Sequence, residues 1–251
     1  MKVAFIGDIH GDHRSAYRSV QSVVADGNAE RVFFVGDFGW DFSDKFLDAM
    51  SSIGSEFNVN IEFIDGNHED FNRLYSFPIE NGYRALRDNV LHIPRGTVMN
   101  IGGHNVLFIG GASSIDKAYR KEGESWWPQE LITDHDITTA MHNVGDKDIT
   151  VVVSHEAPFL PYGRSDDFLP LEVSAVSQSQ REKLQYILNQ TQPSLWYHGH
   201  HHIRYTDTRD NCKIRGLGHD ADPVSERTIV VDTNSWARTK EMFEIERILF
   251  S

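Results

Sequence analysis

The chain has 251 residues, 39% hydrophobic and 24% charged, an ordinary globular balance with enough length for a sizeable core. Its net charge of −13 argues against gripping long nucleic acid through a basic surface, which needs many Lys and Arg facing phosphates. The single cysteine, Cys212, excludes an intramolecular disulfide framework and a thiolate-rich zinc site, so any metal would be held by nitrogen and oxygen donors.

The start "MKVAFIGDIHG" enters a strand-like run directly. It lacks the long apolar core and small-residue cleavage site of a secretory leader, and no run approaches the ~20 apolar residues of a membrane span. A cytoplasmic protein without membrane contact is expected. Strands are predicted in "KVAFIGD", "RVFFVGD", "NIEFIDGN", "HNVLFIGG", "DITVVVSHE", "SLWYHGH" and "RTIVVDT". Each is a short apolar run, most ending in Gly, Asp, Asn or His, as suits strands buried on both faces with polar C-terminal ends. Between the first three lie helical patterns. "HRSAYRSVQSVVADG" puts Tyr17, Val20, Val23 and Val24 on one face, and "DFSDKFLDAMSSIG" spaces Phe42, Phe46 and Met50 by four. The β-α-β-α-β alternation predicts an α/β fold with a largely parallel first half. Later, "WWPQELITDHDITTAMHNV" and "SAVSQSQREKLQYILNQ" are predicted as two more helices, 156–173 as a loop, and 204–226 as a hairpin or loop. No repeat or linker divides the chain, so one domain over 1–251 is expected.

Strand ends repeatedly deliver ligand-type residues: Asp8-Ile9-His10, Gly36-Asp37, Gly66-Asn67-His68-Glu69, Ser154-His155 and Gly199-His200-His201-His202. On an extended chain, residues i and i+2 point to one side, so Asp8 would pair with His10 and His200 with His202. Singly, each fragment is weak, since a Gly-Asp after a strand is ordinarily a turn and a lone His ordinarily packs or faces solvent. Five such fragments in order, each after an apolar run, are a different matter.

In that order the blocks resemble the signature of the calcineurin-like metallophosphoesterases, spanning positions 7–202. Stretches such as "HIPRGTV", "FIGGASSIDKAYR" and "SWWPQE" are also similar to small bacterial and phage-encoded members. The resemblance implies a central β-sandwich flanked by helices, a four-layer α/β/β/α arrangement. It also implies two divalent metal ions, manganese first, with iron or zinc as alternatives. Asp8, His10 and His202 would hold one ion and Asn67, His155 and His200 the other, with Asp37 bridging both. His68 would serve the leaving group. In the Ser/Thr phosphatase branch an acid three residues past the Gly-Asp orients that histidine, followed by Arg-Gly. Here Trp40 takes the acid's position and no Arg-Gly follows, which weakens a protein substrate and leaves Asp41 and Asp65 as candidate orienters of His68.

Other polar residues have two readings each. His13 and Arg14 either touch substrate phosphate or simply start a helix, and His198 either lines the site beside His200 or packs. Trp40 is read as a core or helix-packing residue, the alternative being an apolar wall for a substrate ring, and Arg95 as structural. His92, His104, His135, His142 and His219 are given no role. The expected activity is hydrolysis of small phosphodiesters, cyclic nucleotides foremost, by in-line attack of water activated between two metals. A nuclease or phosphomonoesterase of the same family is the enzymatic alternative, and a metal-binding scaffold module the non-enzymatic one.

Overall fold

In the computed structural model, which describes residues 1–237 together with Thr239 and Met242, the apolar runs form two stacked sheets. In chain order the elements are β1 (Lys2–Ile6), α1 (His13–Gln21), β2 (Arg31–Phe34), α2 (Asp44–Glu56), β3 (Ile61–Phe63), α3 (Phe71–Ser76), β4 (Ile79–Glu80), β5 (Tyr83–Arg87) and β6 (Val90–His92). There follow β7 (Thr97–Ile101), β8 (His104–Ile109), α4 (Asp134–Val144), β9 (Ile149–Ser154), α5 (Leu171–Thr191), β10 (Leu195–His198), β11 (Tyr205–Arg209), β12 (Cys212–Gly216), α6 (Val224–Arg227) and β13 (Thr228–Asp232). One sheet runs β13-β1-β2-β3-β6-β5-β4 and the other β11-β12-β10-β9-β8-β7. Strands β1, β2, β3 and β6 are parallel, as are β8, β9, β10 and β12, so their C-terminal ends share an edge within each sheet.

Strand alternation builds the layers. On β1, Ala4 and Ile6 face α1 and α2 among Ala16, Val20, Leu47 and Met50, while Val3 and Phe5 face the other sheet. On β9, Val151 and Val153 point into that inter-sheet core, and Val152 packs outward against Val144 of α4 and Leu184 and Leu188 of α5. The result is the α/β/β/α layering that the resemblance implies. The residues that close the expected 1–251 domain, apart from those named above, lie outside the described ones. Among the described residues no helix is long and apolar enough to cross a membrane.

Local chemistry moves several predicted boundaries. The run 126–144 is not one helix: Pro128 opens a separate turn of 3-10 helix (Pro128–Glu130), and Thr133 then caps α4 through a reciprocal capping box with Asp136. Phe42 lies outside α2, because Ser43 is its N-cap and accepts from the Phe46 amide. The 204–226 stretch holds the β11–β12 hairpin, turned by Asp210 and Asn211 at positive φ. Strands β4 to β7 are additions to the predicted set; they are short and broken by Asn, Gly and Arg.

Phe5 stacks on Tyr197 across the two sheets, ring centroids 4.2 Å apart, and both are buried. Phe5→Ala should therefore destabilise the fold by about 3–5 kcal/mol, read as a lowered urea midpoint with an unchanged slope.

Candidate metal centre

The loops leaving β1, β2, β3, β9 and β10 converge where the two parallel strand edges meet. Asp37, past β2, is the focus and is buried. Its Oδ1 accepts the backbone amides of Asn67 (2.9 Å) and His68 (3.0 Å) and lies 3.3 Å from His155 Nε2. Its Oδ2 faces the other way, 3.4 Å from His10 Nε2 and 3.9 Å from His68 Nε2. Asp8 uses Oδ2 for the His200 amide (2.9 Å) and His202 Nε2 (3.1 Å), while its buried Oδ1 has no hydrogen-bond partner.

The extended i, i+2 geometry expected for Asp8-x-His10 and His200-x-His202 is not what occurs. Strands β1 and β10 end before these residues, and His10, Asp37, His200 and His202 have φ of +44°, +48°, +63° and +51°. This left-handed backbone costs non-glycine residues on the order of 1–2 kcal/mol each and turns the side chains back over the sheet edge. Neighbouring glycines are a steric requirement here. A Cβ on Gly66 would sit 2.2 Å from Asp37 Oδ1, and one on Gly199 would sit 2.1 Å from Asp8 Oδ1.

Second contacts aim the ring and amide atoms. His155 Nδ1 meets the Val35 carbonyl at 2.8 Å, which fixes the ring's proton there and turns Nε2 toward Asn67 Oδ1 (3.2 Å) and Asp37. Asn67 Nδ2 donates to Ser114 Oγ, which donates in turn to Glu130. His10 Nδ1 lies 2.9 Å from Asp220 Oδ1, and the His202 ring stacks on His219 at 4.3 Å. Glu156 takes His201 Nε2 at 2.7 Å and lies 3.5 Å from His200 Nε2. Burial alone would lower the pKa of His155, but Asp37 and Asp8 outweigh it and push it up to about 10. For His10, burial likewise opposes and Asp37 prevails, raising it to about 9. A cluster that draws protons onto buried imidazoles has an excess of buried negative charge, as a cation site requires.

Asp8, His10, Asp37 and His202 offer ligand atoms all within 4.8 Å of one another. Across Asp37, the His155 and His200 rings lie 5.1 Å apart with Asn67 Oδ1 beside His155. The donors are carboxylate, imidazole and amide, the buried Asp8 Oδ1 has no hydrogen-bond partner, and the residues fit divalent cations. The model of the family described as calcineurin-like phosphoesterase matches residues 1–204. The chain belongs to that family. Calcineurin-like phosphoesterases are metal-dependent hydrolases of phosphoesters, and membership implies two divalent ions. Among solved structures, a dimetal phosphatase from Danio rerio matches with a TM-score of 0.58 at 12% identity, covering 92% of this chain and 91% of that one. The protein TT1561 of Thermus thermophilus gives 0.52 at 12% identity, covering 92% and 98%. The phosphopantetheinyl hydrolase of Mycobacterium tuberculosis gives 0.51 at 16%, covering 92% and 95%. These identities speak for the calcineurin-like fold alone, and no curated protein matches the chain.

The eight residues expected at the centre of this phosphoesterase lie together: Asp8, His10, Asp37, Asn67, His68, His155, His200 and His202. The supporting cast differs from expectation. Asp41 is exposed and accepts from the Ser43 amide, so it does not orient His68. Asp65 does not either: it is buried in a pair with Arg95 (2.6 and 2.8 Å) and with His92 (3.0 Å). His13 and Arg14 are exposed at the start of α1, behind the Asp12 cap. His198 turns away from the centre to meet the Tyr205 hydroxyl at 2.6 Å. Trp40 is no core residue; it is 49% exposed and stands edge-on to His68 at 4.7 Å. Sequence reasoning missed Asp220, His219, Glu156, Ser114 and Arg120. The "GHDAD" run at 218–222 carried a ligand-type signal, whereas nothing local distinguishes Arg120.

Burial would raise the pKa of Asp65, but Arg95 and His92 outweigh it and hold the carboxyl well below the usual range. The stabilisation from this pair is therefore complete above the unfolded carboxyl's pKa of about 3.9 and is lost as pH falls through the lower native value. Asp65→Asn leaves Arg95 with only Asp136, 3.2 Å away and partly exposed, as counter-charge and should cost about 3 kcal/mol at pH 7, with the gap to wild type narrowing below about pH 4 in urea titrations. Gly66→Ala should leave the secondary structure intact by circular dichroism. It should reduce bound Mn²⁺ to less than one ion per chain by elemental analysis, because the added methyl displaces Asp37.

Proposed function

We propose that this chain is a dinuclear phosphodiesterase acting on small diesters, cyclic nucleotides foremost, with Mn²⁺ as its metal. The observation that carries the reading is Asp37, whose two oxygens face two separate ligand sets. Asp8, His10 and His202 would hold one cation with Oδ2, and Asn67, His155 and His200 the other with Oδ1. When bound, two such ions offset charge on the phosphoryl oxygens and acidify water for attack at phosphorus. Carboxylate, imidazole and amide donors suit manganese and iron well, and the one thiol, Cys212, is buried within β12.

His68 is the residue without a ligand's place. Its backbone amide is tied to Asp37, its ring is edge-on to Trp40, and the residue lines the adjoining cavity. It serves the leaving oxygen. The cavity beside it measures about 450 Å³ and is walled by Ile115, Leu160 and Phe168 with Arg120 and Arg164. That volume lies in the range of small-molecule sites, and its walls combine apolar groups and arginines with the carboxylates of Asp116, Glu156 and Asp166, so its size and the arginine donors, rather than net charge, suit a nucleotide-sized diester. The net charge of −13 disfavours a long polyanion.

A Mn²⁺-activated panel of 2′,3′- and 3′,5′-cyclic nucleotides, bis-p-nitrophenyl phosphate, p-nitrophenyl phosphate and single-stranded DNA tests the ranking. Diesters should turn over faster than the monoester, and the reverse order sinks the substrate reading. His68→Ala should retain both ions by elemental analysis yet lose about 10²–10⁴-fold in kcat. A parallel fall in metal content would make His68 structural.

A further inference from the structure

Arg120 reaches the centre from the loop between β8 and α4, where no ligand resides. Its side chain is 9% exposed. Nε donates to Asp116 Oδ1 at 2.7 Å, Nη1 to the Ser125 carbonyl at 3.3 Å, and Nη2 to His68 Nε2 at 3.0 Å. Two of the three guanidinium nitrogens are thus held by the protein's own oxygens, and Nη2 is the one presented inward. An arginine side chain accepts no hydrogen bond and keeps its proton throughout, so in this pair His68 Nε2 is the acceptor and the ring proton sits on Nδ1. The histidine expected to act on the leaving oxygen therefore has a permanent cation at the same atom. That cation lines the same cavity as Asp37, Asn67, His68 and His200.

We propose that Arg120 is a further catalytic residue, whose Nη2 takes up the negative charge that collects on the ester's leaving oxygen, with His68 Nε2 holding that nitrogen in place through one of its two N–H bonds. The inference rests on the phosphoesterase reading above. In the step, a water oxygen bonds to phosphorus, and the bond from phosphorus to the leaving oxygen breaks with its electron pair moving to that oxygen. Of the water's two protons, one ends on the released alcohol and the other on the phosphate product or in solvent. Arg120 exchanges no proton; it offsets charge through a fixed, charge-assisted hydrogen bond, which strengthens as the leaving oxygen becomes more negative. The advantage is greatest for poor leaving groups, whose charge is most localised.

The test compares wild type, Arg120→Ala and Arg120→Lys, each loaded with Mn²⁺, on methyl p-nitrophenyl phosphate and on methyl phenyl phosphate, a poorer leaving group. Arg120→Ala should lower kcat about 10-fold on the first ester and about 100-fold or more on the second, with KM changed less than about 2-fold and metal content unaltered. Millimolar guanidinium should restore part of the rate on the phenyl ester. Arg120→Lys keeps the charge but loses the fork and should fall between; it carries the same comparison if the alanine variant does not fold. Equal losses on both esters, or a loss confined to KM, overturn the proposal. A wild type that is metal-loaded yet turns over neither ester removes the phosphoesterase reading and this inference with it, so the two failures are distinguishable.

Discussion

The buried carboxylate of Asp37 is the constraint around which the rest of the molecule is arranged. An ionised carboxylate removed from water costs several kcal/mol unless every lone pair finds a donor or a cation. Here the donors come from different stretches of chain: two amides from the turn after β3, the His155 ring from the end of β9, and the His10 ring from the end of β1. Bringing those stretches to one point demands parallel strands in both sheets with their C-terminal ends together. It also demands abrupt turns past each strand, which explains left-handed backbone at Asp37, His10, His200 and His202 and bare glycines at 66 and 199. Strain is accepted at four residues because each places a side chain that no extended strand could aim there.

Much of this was legible in the sequence, for identifiable reasons. Strands buried on both faces leave uninterrupted apolar runs, and their polar ends stand out against them; that contrast marked the strand-end blocks. What escaped was whatever depends on partners remote in the chain. Asp65, three residues before His68, looked like its orienter, yet Arg95 and His92 claim it from another strand and another loop. Trp40 carries the composition of a core residue but follows a turn that sends it to the rim. His198 sits two residues before His200, and the chain's reversal after β10 sends the two rings to different partners. Arg120 and Asp220 matter through contacts with His68 and His10 that span 52 and 210 positions; the GHDAD run hints at Asp220, but no local pattern announces Arg120.

The family match ends at residue 204, but the fold does not. Past it, β13 closes the edge of the first sheet beside β1, β12 extends the second beside β10, and the loop between them returns Asp220 to His10. The portion carrying the proposed ligands thus relies for its framing on a segment that the shared signature does not describe.

The expected ligands come from both sheets and span positions 8 to 202. A pair of ions seated among them would act as a reversible staple, tying the sandwich shut across loops of many tens of residues. Closing such loops removes chain entropy from the unfolded ensemble, and ions that bind only the folded form add a term that grows with the logarithm of their concentration. Loading the metals and completing the fold are then one linked equilibrium. The strain held in the four left-handed turns would be offset most fully with the ions bound, and resistance to unfolding would then follow the cation supply of the surroundings.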